Sequence, residues 1–259
     1  MSRLEVVRDG AFRRDHGLKA ALAAVVATSF IDEVGRLERT FDRCDTLYLL
    51  RDGRGEVLCF FLVAWENLPV EGRDVPTLDT GLTAARPGQK NTGTFVKLLN
   101  YCIFEAQQWE QRHRQKLTIW GTTATPSVFF VVRKVLANMQ PSADGTFSEE
   151  AARFARAIGR RLGVSLPAGA HPFVFPRLAA GVRYSEEERR RIAAVCRAKQ
   201  FFLFDQLGVN EARGDRLLFS AEVPAVLWRP VNRQGELPKL TAGQSPGDTP
   251  AAETEGRLP

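Results

Sequence analysis

The chain has 259 residues, 44% of them apolar and 25% charged, with a formal net charge of +6. That apolar content builds a sizeable core, which excludes a disordered chain, and no uninterrupted apolar run reaches the roughly 18 residues of a membrane-spanning helix. The basic balance, with a pI near 9.4, points to an anionic partner without choosing among nucleic acid, a phosphorylated cofactor, an acidic carrier protein or a membrane surface. The N-terminal stretch has basic residues but no apolar stretch of the secretory type, so a cytoplasmic location is expected. Cys44, Cys59, Cys102 and Cys196 form no CxxC pair, and His16, His113 and His171 have no second ligand at metal spacing, so neither a disulfide framework nor a metal centre is expected.

In chain order, Leu18, Ala21, Leu22, Val25 and Val26 follow helical spacing, then Ile31, Val34 and Leu37 do so again. Ser29 before Asp32 and Glu33 reads as a fresh N-cap, so two consecutive helices are expected between residues 17 and 40. Strands at Asp45 to Leu50 and Glu56 to Trp65 flank the hairpin turn Arg51 to Gly55. Pro69 to Pro76 reads as a loop and Thr77 to Ala84 as a third strand. The polar turn Ala85 to Thr94 enters a helix at 95 to 112, with Phe95, Leu98, Leu99, Cys102, Ile103 and Ala106 on its buried stripe. A strand at Lys116 to Trp120 precedes a helix that opens with Pro126 at its first position.

Farther on, Asn138 to Thr146 reads as a loop and Ser148 caps a helix to about Leu162. Phe173 to Phe175 reads as a short strand, and Ser185 with Glu188 as a capping box before a helix to about Phe204. Leu217 to Val223 is the last expected strand, and a disordered tail is expected at 238–259, where apolar periodicity is lost.

The turn before the second long helix carries the most chemistry. A helix start leaves backbone N–H groups free, and the helix dipole favours negative charge there, so such a junction suits phosphate. Arg86 and Lys90 add cationic donors, and Thr92 and Thr94 add hydroxyls. Two readings stand: a pyrophosphate site, or an ordinary strand-to-helix loop with Thr92 or Thr94 as N-cap. With only Gly88 and Gly93, the turn is neither a Walker loop nor GxGxxG.

Over about residues 5 to 138 the order of elements, with this turn and helix, resembles the GNAT acyl-CoA N-acyltransferase superfamily, including its acyl-homoserine-lactone synthase and N-acyl amino acid synthase branches. The family's turn has the form [RQ]-x-x-G-x-[GA]; the register here is Gln89-Lys90-Asn91-Thr92-Gly93-Thr94, with threonines where glycines are usual. The resemblance implies an α/β (α+β) fold with a mixed, mostly antiparallel central sheet flanked by helices. The core would span 1–138, with a helical extension at 139–237 packing on it.

The resemblance further implies acyl-CoA or an acyl carrier protein as donor, no metal, and a small-molecule amine acceptor, with nucleic acid disfavoured. Backbone of Leu82, Thr83 and Ala84 would orient the thioester, and Arg86 with Gln89, Lys90, Asn91, Thr92, Gly93 and Thr94 would hold pyrophosphate. Trp120, Thr122 and Phe129 would line the substrate wedge. The tyrosine common on the helix after the wedge strand is replaced here by Phe129 and Phe130.

A base must accept the amine proton. Glu66, at a strand end, and Asp79, inside an apolar strand that could raise its pKa, are the candidates, ahead of His171. Each could instead be an exposed strand acid. The expected activity is N-acyl transfer by direct attack; the alternative is a non-catalytic GNAT-like module binding a protein or nucleic acid.

Overall fold

The computed structural model describes residues 2–33, 35–196 and 198–226. The tail expected at 238–259 lies outside the described residues. The elements are β1 (Arg3–Val7), α1 (His16–Ala27), β2 (Phe30–Asp32), α2 (Arg36–Arg43), β3 (Thr46–Arg51), β4 (Val57–Val70) and β5 (Arg73–Ala85). There follow α3 (Thr94–His113), β6 (Thr118–Thr123), α4 (Pro126–Val135), β7 (Ala137–Gln140) and α5 (Glu149–Arg161). The chain then runs through β8 (Val174–Phe175), β9 (Val182–Tyr184), α6 (Glu186–Val195), α7 (Ala198–Gln206) and β10 (Arg216–Glu222).

Seven strands form the main path β1-β3-β4-β5-β6-β10-β7, with β8 beside β10 as an eighth strand, and β2 pairs β9 separately. Every pairing is antiparallel except β5 with β6. This is the mixed, mostly antiparallel sheet flanked by helices that the resemblance implies. Residues 216–222 enter the sheet between β6 and the edge strand β7, so part of the extension shares the core's own hydrogen-bonded ladder.

The central strands are buried on both faces, which is why they read as nearly continuous apolar runs rather than alternating ones. Alternate residues of β3 and β4 go to opposite cores. Tyr48, Cys59, Phe61 and Val63 pack with Leu98, Leu99, Cys102 and Ile103 of α3. Leu47, Leu49, Phe60 and Leu62 pack with Leu18, Leu22, Val25 and Val26 of α1 and with Phe41 of α2.

Several expectations are corrected. Between α1 and α2 the chain makes the strand β2, so Ser29 is not an N-cap; α2 starts after Gly35. Pro69 to Pro76 is not a loop but the tip of a long hairpin, turning at Glu71 and Gly72 with positive φ. In a two-residue hairpin closed by Val70 opposite Arg73, the pairs Pro69–Asp74 and Asn67–Pro76 fall at non-hydrogen-bonded positions. There the missing proline N–H costs nothing. Ala137–Gln140, expected to be largely loop, pairs with β10, and the helix expected to reach Phe204 is two helices, α6 and α7. Among the described residues no helix is long and apolar enough to cross a membrane.

Candidate active site

The site is built where β5 and β6 part. They run parallel for three residue pairs only, Thr77–Thr118, Leu78–Ile119 and Asp79–Trp120. Just past Asp79, β5 gains a residue relative to β4: Leu62 faces Leu82, while Ala64 faces Asp79. An extra residue bends a strand and increases its twist, so this bulge at Thr80 and Gly81 swings β5 away from β6. The Thr80 hydroxyl then replaces a ladder bond, donating to the Trp120 carbonyl at 2.9 Å.

Two glycines make the fork possible by close approach. A Cβ on Gly81 would sit 2.5 Å from Cys44 Sγ, and one on Gly121 would sit 1.9 Å from Thr80 Oγ1 and 2.8 Å from the Phe219 ring.

Beyond the fork lies a cavity of about 180 Å³. Thr80, Leu82 and Thr83 form one wall, Trp120, Thr122 and Thr123 the other, and Phe95 and Leu99 of α3 also line it. Arg43 from α2, Tyr184 from β9 and Arg216 from β10 add its polar groups.

Asp79 lies at the crotch of the fork and is 2% exposed. Arg43 Nη2 approaches its Oδ2 to 3.0 Å, close enough for ion pairing but misaligned for a hydrogen bond. Burial pushes the Asp79 carboxyl up to about 7; the Arg43 charge opposes this and the Glu66 charge adds to it. Cys44, across from Gly81, is pushed up to about 12 by burial and then by the Asp79 charge, so it stays a thiol.

The other residues expected in the site are distributed as follows. Glu66 is paired with Arg161 at 3.0 Å. Leu82, Thr83, Trp120 and Thr122 line the cavity, and Ala84 is buried beyond it in the α1-side core. Phe129 is fully buried beside Phe130 and Phe204, behind the cavity wall rather than on it. His171 is held away from the fork, with Nε2 3.1 Å from the Gly145 carbonyl.

At the turn, Arg86 pairs with Glu56 at 2.6 Å. Asn91 and Gly93 both take positive φ, and Gly93 is the N-cap of α3 without a side-chain cap bond. Thr92 and Thr94 therefore do not cap the helix. Their hydroxyls bond each other at 2.6 Å, Thr92 donates to the Gln89 carbonyl at 2.7 Å, and Thr94 reaches Gln89 Oε1 at 3.4 Å. Among the described residues, the first-turn amides of α3 are thus left without a side-chain acceptor.

Lys90 points elsewhere: its Nζ donates to Ser29 Oγ at 2.8 Å and to Glu188 at 2.7 Å in a nearly buried pair. Burial alone would raise the Glu188 carboxyl, but hydrogen bonds from Arg191 and Lys90 outweigh it and hold it below its usual range. Arg191 also reaches Asn91 Oδ1 at 3.3 Å, so α6 is tied to the turn.

Tyr184 and Arg216 were not singled out from the sequence. The β2–β9 pairing brings Tyr184 opposite Phe30, with ring centroids 4.9 Å apart, and its hydroxyl shares a short hydrogen bond with Thr125, the N-cap of α4. Burial raises the Tyr184 phenol, and the nearby Arg216 charge opposes the shift. No local pattern marks either residue, because each is brought to the fork by pairing across the extension.

No protein-family model matches the chain, and no curated protein matches it. Among solved structures, the chain is similar to a conserved protein of unknown function from Enterococcus faecalis V583, at 7% identity and a TM-score of 0.38. That match covers 51% of this chain and 31% of the other, so the chain spans under a third of that protein. An IAA acetyltransferase from Bacillus cereus matches at 15% identity over 54% of this chain and 80% of its own, with a TM-score of 0.36. A GNAT family N-acetyltransferase from Escherichia coli, in complex with CoA, matches at 12% identity over 51% and 66%, with a TM-score of 0.35.

Each of these likenesses is partial, at a TM-score below 0.5. The likeness concerns fold alone.

Proposed function

We propose that the chain is an N-acyltransferase that moves an acyl group from acyl-CoA, or from an acyl carrier protein, to a small-molecule amine by direct attack. The observation that carries this reading is the fork: a bulged β5 parting from β6 over a cavity that reaches α3, whose first-turn amides have no side-chain acceptor among the described residues. A thioester laid along the freed edge at Leu82 and Thr83 would have its carbonyl polarised by backbone N–H groups, while the α3 amides and the Gln89–Thr94 turn take the phosphates.

In the reaction the neutral amine nitrogen attacks the thioester carbon. The C–N bond forms, the Asp79 carboxylate accepts the amine proton, and the C–S bond breaks as the Tyr184 phenol gives its proton to the leaving thiolate. Tyr184 thus takes from the extension the role that Phe129 and Phe130 cannot fill. Glu66, near enough to act on Asp79 electrostatically, is a positioning residue here. The donor's chemistry fits the cytoplasmic location expected above.

Isothermal titration with acetyl-, octanoyl- and palmitoyl-CoA and with acyl carrier protein tests the reading. Binding tighter than about 1 mM is expected for at least one donor, and its absence for all of them overturns the proposal. With a donor in hand, Tyr184→Phe should lower kcat roughly 10²-fold with little change in donor KM. An unchanged kcat removes Tyr184 from the chemistry. The alternative, a binding module, draws support from Lys90 being held by Glu188 rather than facing the turn; salt-sensitive retention on nucleic acid without any donor binding would favour it.

A further inference from the structure

Arg216 is the one group lining the cavity whose charge the fold leaves without an ion pair among the described residues. Its residue is 9% exposed, and burial pulls its guanidinium below the usual value. Its Nη1 donates to the Asp215 carbonyl at 2.7 Å and its Nη2 reaches the Val182 carbonyl at 3.5 Å, so two of five donors meet neutral acceptors. Among the described residues no carboxylate lies within 4 Å of it.

The two carboxylates that act on it from farther away are committed to other partners. Asp215 takes a fork from Arg213 and accepts from the backbone of Arg177 and Asn210. Glu211 accepts from the Tyr184 amide at 2.6 Å and pairs with Arg189 at 3.2 Å.

A desolvated cation without a counter-charge is costly, by several kcal/mol even after relaxation. A fold tolerates that where a bound anion completes the pair, and a planar guanidinium with free N–H groups matches a carboxylate in bidentate fashion. Tyr184 and Thr123 also line the cavity, and Tyr184, whose hydroxyl is hydrogen-bonded to Thr125, is close enough to Arg216 to feel its charge. Arg43, the other cation lining the cavity, is paired with Asp79 at 3.0 Å, so among the described residues Arg216 is the lining cation that has no carboxylate partner.

We propose that Arg216 is the anchor of a carboxylate on the molecule that occupies this cavity. The proposal deepens the acyl-transfer reading of the same site and rests on it only for what happens to that molecule afterwards. The carboxylate belongs either to the amine acceptor or to the far end of a dicarboxylic acyl group; both present the same chemistry to the guanidinium.

The test is direct binding to the full chain, with and without CoA, so that it does not depend on turnover. In the first arm alanine, leucine and phenylalanine are titrated against their amides, which keep the amine and remove the negative charge. In the second arm succinyl-CoA is compared with propionyl-CoA. A preference of at least tenfold for the charged member of a pair supports the proposal and names the source. Equal affinities in both arms overturn it, whether or not CoA itself binds; a failed donor titration with a preserved acid preference overturns only the acyl-transfer reading. Arg216→Gln should abolish the preference and Arg216→Lys should keep part of it. Because Arg216 is buried and either variant could unfold, the acid-against-amide comparison on the unaltered chain decides the matter alone.

Discussion

Replacing Gly121 by alanine tests whether the fork depends on close approach. The added Cβ would stand 1.9 Å from Thr80 Oγ1 and 2.8 Å from Phe219 Cζ. Both strands are held in the sheet by their other neighbours, β4 on one side and β10 on the other, so the backbone has little room to give. Thr80 must rotate away, which breaks its 2.9 Å bond to the Trp120 carbonyl. Losing that bond costs about 1 kcal/mol, and moving the Phe219 ring adds about 1–3 kcal/mol of overpacking. The expected loss is about 3 kcal/mol, or roughly 6–12 °C in Tm for a domain of this size.

Urea and thermal unfolding of Gly121→Ala, Thr80→Ala and the double variant form a mutant cycle. Thr80→Ala removes the atom in nearest conflict, so the double variant should be at least 1 kcal/mol more stable than the sum of the two single losses predicts. A loss below about 0.5 kcal/mol in Gly121→Ala, or additive losses in the double variant, would refute the reasoning, because the alanine would then fit without displacing Thr80.

Asp79 should make stability fall as pH rises. Its folded value is raised to about 7, above the unfolded value, so the folded state binds the extra proton between the two. The contribution is intact below the unfolded value and is lost as pH rises toward the folded one, at up to about 1.4 kcal/mol per pH unit. Denaturation of the wild type and Asp79→Asn at pH 5 and pH 7 should show the variant gaining relative stability at the higher pH; a pH-independent gap would contradict this. At the α6 latch, Glu188→Ala leaves Lys90 buried without its partner and should cost about 3–5 kcal/mol in urea unfolding, most of it recovered by adding Lys90→Met. A loss under 1 kcal/mol would mean that Lys90 swings out to solvent instead.

The fold was legible wherever burial and periodicity agreed. The α3 stripe, the Ser148 and Ser185 caps, the Pro126 start and the short strand around Val174 each carry a local signal that tertiary contacts do not override. Legibility failed where the deciding partner is far away in sequence. Pro69 and Pro76 misled for a different, local reason, since they look like loop residues until the register between the hairpin's own arms shows that neither position asks for an N–H. Phe30 to Asp32 became a strand only because residues 182–184 arrive beside it. Ala137–Gln140 likewise depends on β10, some eighty residues on.

The same rule divides the site. Residues on one contiguous stretch, from Asp79 through Thr83 and on to the turn, could be found from their neighbours in sequence, because a strand entering a helix through a polar turn is a local event. Tyr184 and Arg216 could not, since they reach the fork through two separate antiparallel pairings, β2 with β9 and β6 with β10. The net charge of +6 was similarly misleading about place. Arg86 and Lys90, the cations most visibly near the turn, are neutralised by Glu56 and Glu188. Among the described residues, the cation lining the cavity that has no ion pair is the buried Arg216, which composition cannot distinguish from the other arginines. Surface charge is solvated and cheap to carry, whereas a desolvated guanidinium persists only where something repays its burial. It is therefore the least exposed positive charge at the cavity, not the overall excess, that bears on what the site binds.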